Sequence, residues 1–440
     1  MPAVPPVMSA RPLPRPTAAA SSRATAPPEW RLSPAWERLL IAVFLLTLAV
    51  PGLATLGGVD RGLTRGENRD LAPPPVLAPT WPAVAAFPAA FTTYFQDHFA
   101  FRGRLVRWQG ALRLLALRVS PSPTVIRGAD GWLYYADDGA IEDYTNQSPL
   151  SAGELDTWAT TLQHTQDWFA ARGITYLFVI APDKHVVYPE FMPASIHKAS
   201  ETSRTDQLVA HLQARTTVPV LDLRPALLAA KRGARIYHRT DSHWNDVGAE
   251  VGAREILTRL DALAGGTVPG LAPLPLSAYD RRDVQAPGRD LARMLGLETW
   301  LSEDEPILQP RHAAARVVEP AHPDENFDEG RLVSEATGTS LPRAVIYRDS
   351  FGSALVPFLA EHFSRALFLW EYDIEPTRIA QEQPRVVIQE WAGRRLSTRL
   401  PYDPFAVTAT APATPPTTAR ATTVAASAPA TLPATAKMRP

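Results

Sequence analysis

The sequence contains no cysteine, which excludes thiol catalysis, disulfide bonds and zinc sites built on thiolates. A chain without cysteine suits an oxidising space outside the cytoplasm but does not require one. Net charge is also nearly absent. The 44 Lys and Arg stand against 45 Asp and Glu, with no block of five or six like charges, which argues against a basic surface for nucleic acid. The ends lack the residues of a packed core. Residues 407–440 hold 11 Ala, 9 Thr and 6 Pro, and the first 35 residues hold 9 Pro, so both ends are expected to be disordered.

One long uncharged run is present. Residues 39–59 (LLIAVFLLTLAVPGLATLGGV) carry no charge, and at about 1.5 Å per residue such a helix crosses the roughly 30 Å hydrocarbon core of a bilayer. Arg11, Arg15, Arg23, Arg31 and Arg38 precede the run, against Glu29 and Glu37, while Asp60, Arg61 and Arg65 follow it. The positive-inside rule then keeps the N-terminus in the cytoplasm and exports everything after residue 60. A cleaved signal peptide and a buried core helix are the alternatives; the 38-residue leader argues against the first and the missing amphipathic period against the second.

The expected organisation is therefore a disordered leader (1–38), a transmembrane anchor (39–59), an extended and then helical segment (60–125), a catalytic domain (126–406) and a disordered tail (407–440). Residues 60–90 are Pro-rich and read as extended. Apolar residues then recur at helical spacing over 91–118, which predicts one helix or two. From 151 onward helices alternate with strands. Ser151 and Glu154 form a capping box, and a helix ends before Gly173. Residues 174–180 (ITYLFVI) form an apolar run of strand length, the pattern of a strand buried on both faces. Further strands are expected at 218–223, 343–347, 366–369 and 386–388, with helices at 203–215, 246–262 and 351–363. This alternation implies an α/β fold, a mostly parallel sheet flanked by helices, with ligand sites at the carboxyl ends of its strands. Residues 265–340 are too Pro-rich to assign.

Two segments carry reactive groups after expected strands. In His238-Arg239-Thr240-Asp241-Ser242-His243-Trp244-Asn245, Asp and His two apart share one side of an extended backbone, so the carboxylate can fix the imidazole tautomer and leave the other nitrogen as a base. In Tyr347-Arg348-Asp349-Ser350-Phe351-Gly352-Ser353, a serine at a strand-to-helix turn presents its hydroxyl beside unpaired amides able to stabilise an oxyanion. The second segment partly matches the nucleophile elbow G-x-S-x-G, with Arg348 at the first glycine. Ordinary readings stand beside these: serine is a common helix cap, and Asp241 and His243 can be a hydrogen-bonded loop. A two-metal phosphoesterase would also use D-x-H, but its N-H-[ED] and H-x-H partners are not found, so no metal is expected. Trp244 has a flat face for stacking on a sugar, or belongs to the core.

Together, T-D-S-H-W and, about 105 residues later, D-S-F-G resemble the SGNH-hydrolase-like domain of the alginate O-acetyltransferase AlgJ/AlgX family. Glu67-Asn68-Arg69, the Tyr94 to Phe99 segment with Arg102, Gly128 to Leu133, and Pro182-Asp183-Lys184 leading to Tyr188-Pro189-Glu190 extend the resemblance, in the family's order, over about 67–395. It implies Ser350 as nucleophile, His243 as general base and Asp241 as its orienting partner, with Trp244, Arg348 and Tyr188 as candidate substrate contacts. The implied activity is O-acetylation of an exported exopolysaccharide through an acetyl-serine, without a cofactor. The implied acetyl donor is a membrane-bound O-acyltransferase, and the implied location is a single-pass protein of the inner membrane with its catalytic domain in the periplasm. An exported carbohydrate acetylesterase and an inactive polysaccharide-binding scaffold remain the alternatives, Arg348 in place of glycine favouring the last.

Overall fold

A computed structural model describes residues 33–57, 72–319, 330–336 and 340–406. The expected leader lies outside the described residues up to position 32, and the expected tail lies outside them entirely. The chain forms two compact units, Met1–Gln109 and Gly110–Pro440.

In the first unit the uncharged run is helical from Pro34 to Leu56. Its start precedes the run because Pro34 suits the first turn of a helix, where the missing N–H would have no partner. Residues Pro34–Thr55 are long and apolar enough to cross a membrane, with a mean hydropathy of 2.0 and none of that stretch buried. Of the stretch 60–90 expected to be extended, residues 60–71 lie outside the described residues, 72–80 form neither helix nor strand, and a helix runs from Trp81 to His98. Pro82 occupies its first turn, and the Ala-rich sequence around Pro88 sustains the helix across a second proline. A second helix starts at Arg102, which gives the two helices allowed by the spacing over 91–118.

The second unit is built on a seven-stranded sheet. In chain order the strands of this unit are β1 (Val125–Arg127), β2 (Leu133–Tyr135), β3 (Thr175–Ala181), β4 (Val220–Asp222), β5 (Tyr279–Pro287), β6 (Ser302–Pro310), β7 (Ala315–Glu319), β8 (Arg331–Ala336), β9 (Arg343–Arg348), β10 (Arg365–Trp370) and β11 (Val386–Ala392). The main sheet has the order β4-β3-β11-β9-β10-β8-β7. Its first five strands are parallel, and β8 and β7 add antiparallel at one edge. The hairpins β1–β2 and β5–β6 lie outside it.

Period-two alternation sends successive side chains of each central strand into two different cores. Leu177, Val179, Ile346 and Ile388 join the helices 224–231 and 246–263 on one face; Tyr176, Phe178, Ile180, Val345 and Val387 join the helices 152–170 and 204–215 on the other. Burial on both faces is why the strands read as unbroken apolar runs. The Ser151–Glu154 capping box is present as expected. The helix expected over 351–363 is instead three short turns, Ser350–Ser353, Val356–Leu359 and Ala360–His362. Pro357 provides the reason, since it has no N–H to carry the helical hydrogen bonds on from the first turn.

Close packing of the helix 246–263 gives a testable outcome. A Cβ on Gly248 would stand 2.2 Å from the Ile236 carbonyl oxygen and 2.9 Å from Trp244 Cβ, whereas one on Gly153 would meet nothing within 4 Å. Gly248→Ala should destabilise by roughly 1–3 kcal/mol and lower the thermal midpoint by about 2–6 °C. Gly153→Ala should be neutral or stabilise by up to about 1 kcal/mol. Equal midpoints for the two variants in thermal unfolding followed by circular dichroism would contradict this packing.

Candidate active site

The parallel strands deliver their next residues to one edge of the sheet. β3 leads to Asp183 and Lys184, β9 to Asp349 and Ser350, β10 to Tyr372, and β11 to Arg394. Asp241 and His243 reach this region on a loop rather than an extended strand. Tyr237 and Trp244 pair in an isolated antiparallel bridge, and residues 239–243 between them form a chain of bends. The two side chains meet because Asp241 turns back on the loop. Its Oδ1 accepts the His243 backbone N–H at 3.0 Å and lies 2.7 Å from Nδ1 of the same residue. An ionised carboxylate only accepts, so the ring proton belongs on Nδ1 and Nε2 carries the free electron pair. Nε2 is buried and has no hydrogen-bond partner, so no hydrogen bond from the Ser350 hydroxyl reaches it in this structure.

The loop is held from beneath by Lys184, only 1% exposed. Its ammonium donates to the carbonyls of His238 (3.1 Å), Arg239 (3.2 Å) and Asp241 (2.5 Å). Glu303 on β6 accepts the backbone N–H groups of Arg239 and Thr240 and the Thr240 hydroxyl. Asp290, between β5 and β6, accepts the Ser242 backbone N–H at 2.9 Å and the Ser242 hydroxyl, and stands 3.7 Å from His243 Nδ1. Sequence reasoning missed Asp290 and Glu303 because both come from the stretch left unassigned.

Ser350 opens the turn after β9, with Asp349 as its cap. Asp349 is buried and accepts the N–H groups of Phe351 (2.9 Å) and Ala392 (2.8 Å), while its own N–H donates to Glu390. Two contacts join this turn to the histidine loop. The Phe351 ring meets the His243 imidazole edge-on with centroids 4.9 Å apart, and the Trp244 indole donates to the Phe351 carbonyl at 3.1 Å. The residues beside His243 and beside Ser350 are thus bonded directly, 107 positions apart in sequence.

The other expected substrate contacts fall in different places. Trp244 is 1% exposed and packed against Tyr237 and Phe351, so it belongs to the core and offers no face to a sugar. Arg348 is equally buried, its guanidinium over the Trp370 ring and donating to the Ser353 hydroxyl at 2.6 Å. Tyr188 lines a cleft of about 660 Å³ with Trp132, Phe191, Lys231, Arg235 and Arg239.

Electrostatics separate the ionisable groups. Burial alone would lower the His243 imidazole, but the adjoining Asp241 carboxylate outweighs it and holds the base above its ordinary range. Burial opposes the charge of Asp241 too, yet His243 and its hydrogen bonds keep that carboxyl well below the usual range. Asp290 is pushed up to about 6, first by burial and then by the charge of Asp241. Burial lowers Lys184 to about 8 against the pull of Asp290, Asp241 and Glu303. Arg394 resists burial through its pair with Asp183, Nη1 to Oδ1 at 2.5 Å, and its guanidinium lies 5.5 Å from the centre of the Phe351 ring. Asp241, His243 and Asp290 also offer ligand atoms within 4.8 Å of one another, the arrangement among the described residues able to hold a metal ion. A cation on Nδ1 would displace the proton that pairs it with Asp241.

The family described as "SGNH hydrolase-like domain, acetyltransferase AlgX" matches residues 125–367. The probable alginate O-acetylase AlgJ of Pseudomonas syringae pv. tomato is 27% identical over 313 residues, covering 69% of this chain and 72% of the relative. That of Azotobacter vinelandii is 26% identical over 294 residues, covering 62% and 70%. Among solved structures, the O-acetyltransferase domain of Pseudomonas putida AlgJ aligns at 18% identity over 63% of this chain and 94% of that domain, with a TM-score of 0.43. Bacillus cereus PatB1 aligns at 16% identity over 62% and 96%, with a TM-score of 0.46. The family match spans more than half of the sequence and contains both reactive segments, and the chain belongs to the SGNH-hydrolase-like acetyltransferase family of AlgX.

Proposed function

We propose that the protein is a polysaccharide O-acetyltransferase that works through an acetyl-serine on Ser350, with His243 as general base and Asp241 as its orienting partner. The observation that carries this reading is the His243 imidazole, held by Asp241 on Nδ1, with a buried and unpartnered Nε2 beside the turn that Ser350 opens. In the first step the Ser350 hydroxyl oxygen bonds to the acetyl carbonyl carbon and its proton passes to Nε2. The leaving group departs with that proton. In the second step a sugar hydroxyl attacks the acetyl-serine, Nε2 takes its proton, and the same proton returns to the serine oxygen as the ester transfers. Asp241 stabilises the imidazolium in both steps.

Relatives named as alginate O-acetylases support a sugar polymer as acceptor. The cleft lined by Trp132, Tyr188 and Arg239 is the proposed acceptor site, because Arg239 is two residues from Asp241 on the same loop. The helix Pro34–Leu56 supports an inner-membrane, single-pass location with the second unit in the periplasm, where a membrane-bound O-acyltransferase would supply the acetyl group.

Two measurements test the reading. With a chromogenic acetyl ester, Ser350→Ala, His243→Ala and Asp241→Ala should each lower turnover on the order of 10³-fold or more, because triad members act as a unit. Undiminished release by Ser350→Ala rules the reading out. Acetyl groups appearing on an oligosaccharide by mass spectrometry would mark transfer; release of acetate alone would mark an esterase.

The pH profile gives the second. The base works when neutral, and its pKa is raised, so the acid limb of kcat/KM should lie above the usual imidazole value of about 6.5 and fall tenfold per pH unit below it. Asp241→Asn removes the main raising partner and leaves burial to dominate, so the limb should move to lower pH as the plateau falls. A limb that does not move in this variant would be inconsistent with Asp241 as partner of the base.

A further inference from the structure

The helix Trp81–His98 carries none of the residues assigned to this chemistry, and its surface is unusual. Residues 81–96 carry no formal charge, and the first charged side chain, Asp97, is buried at the helix end, where it accepts the Ala72 backbone N–H at 2.9 Å. Nearly all of the helix before it faces outward. Trp81 is 80% exposed, Phe91 48% and Phe95 40%. Phe87, Phe91, Phe95 and Phe99 follow one another at four-residue steps with ring centroids 6.0, 6.2 and 6.1 Å apart, so the rings make one continuous stripe. Val84 extends it towards Trp81. A contiguous exposed apolar stripe of this length marks an interaction face.

The occupant follows from where the helix ends. The backbone N–H of Ala100, two residues past its end, donates to Thr55 Oγ1 at 2.7 Å, and Thr55 is the last residue of the candidate span Pro34–Thr55. The aromatic helix is therefore tied to the point at which the span leaves the hydrocarbon. Its polar last turns, with Thr92, Thr93, Gln96, Asp97 and His98, leave it too polar to count as a second span among the described residues. It has the length to lie about 27 Å along a bilayer surface. Tied to the end of that span, a stripe of Phe rings with Val84 and Trp81 at its start suits the boundary between headgroups and acyl chains.

We propose that the helix Trp81–His98 lies in the interface of the lipid bilayer entered by the helix Pro34–Leu56, with Trp81, Val84, Phe91 and Phe95 at the acyl boundary. The inference rests on the anchor reading of the first helix and is independent of acetyl transfer.

The cysteine-free sequence makes the test direct. Phe91→Cys, Phe95→Cys, Thr93→Cys and, within the span, Phe44→Cys are each introduced into the full chain and labelled with an environment-sensitive fluorophore. The protein is reconstituted in phosphatidylethanolamine–phosphatidylglycerol vesicles. Lipids bearing a doxyl quencher should lower emission at 44, 91 and 95 at least twofold while aqueous iodide has little effect, and iodide should be the stronger quencher at 93. Iodide reaching 91 and 95 with 44 in lipid would put the helix in water and overturn the proposal. Shielding of 91 and 95 from both quenchers would show a protein covering the stripe and overturn it equally. Iodide reaching 44 as well would remove the anchor reading and the proposal together.

Discussion

The arrangement at the carboxyl edge of the sheet depends on one buried ammonium. Lys184, three positions past the end of β3, is buried away from solvent, so the fold must surround its charge with acceptors. The loop at 238–243 has the complementary need, because it forms neither helix nor strand and its carbonyls require donors. Three of those carbonyls converge on Nζ and satisfy both requirements at once. Glu303 does the same for the loop's N–H groups. Asp241 is thereby fixed by its own backbone before its side chain turns to His243.

Around that loop, two carboxylates share one imidazole without equal claims on it. Asp241 lies 2.7 Å from Nδ1 and is ionised; Asp290 lies 3.7 Å away, bonds chiefly to Ser242, and is raised to about 6 by burial and by the charge of its neighbour. Like charges this close push their protonation apart. The same division recurs under the serine turn. Burial and the charge of Asp349 drive Glu390 well above the ordinary carboxyl range, while Asp349 spends both oxygens on backbone N–H groups. Beside each reactive segment, then, one acid of a close pair has its carboxyl raised by burial and by its neighbour's charge.

How much of this was legible in the sequence depends on which signals are local. The strands β3, β9, β10 and β11 were readable because burial on both faces leaves an unbroken apolar run, and the cap at Ser151 was readable because its partner is three residues away. Asp241 and His243 were readable as a pair for the wrong geometric reason. They meet through a bend and a backbone hydrogen bond, not through the alternation of a strand. Asp290 and Glu303 were not readable, since a lone acid in a Pro-rich stretch gives no sign of a partner 48 or 63 residues earlier. Trp244 looked available for sugar because a tryptophan beside a base carries no mark of which way it faces; its indole hydrogen bond to Phe351 turns it inward.

Arg348 bears on whether the departure from G-x-S-x-G disables the turn. Glycine is required where the backbone is left-handed or where a Cβ would collide, and Arg348 ends a regular strand without a positive φ. Its side chain is housed against Trp370 and Ser353. The glycine the turn does require is Gly352, where a Cβ would stand 2.5 Å from Arg348 Cβ and 2.9 Å from Glu390 Oε2. The constraint behind the motif is therefore kept at the position where β9, β11 and the serine turn crowd together. The first position tolerates a long side chain because the second concedes the space.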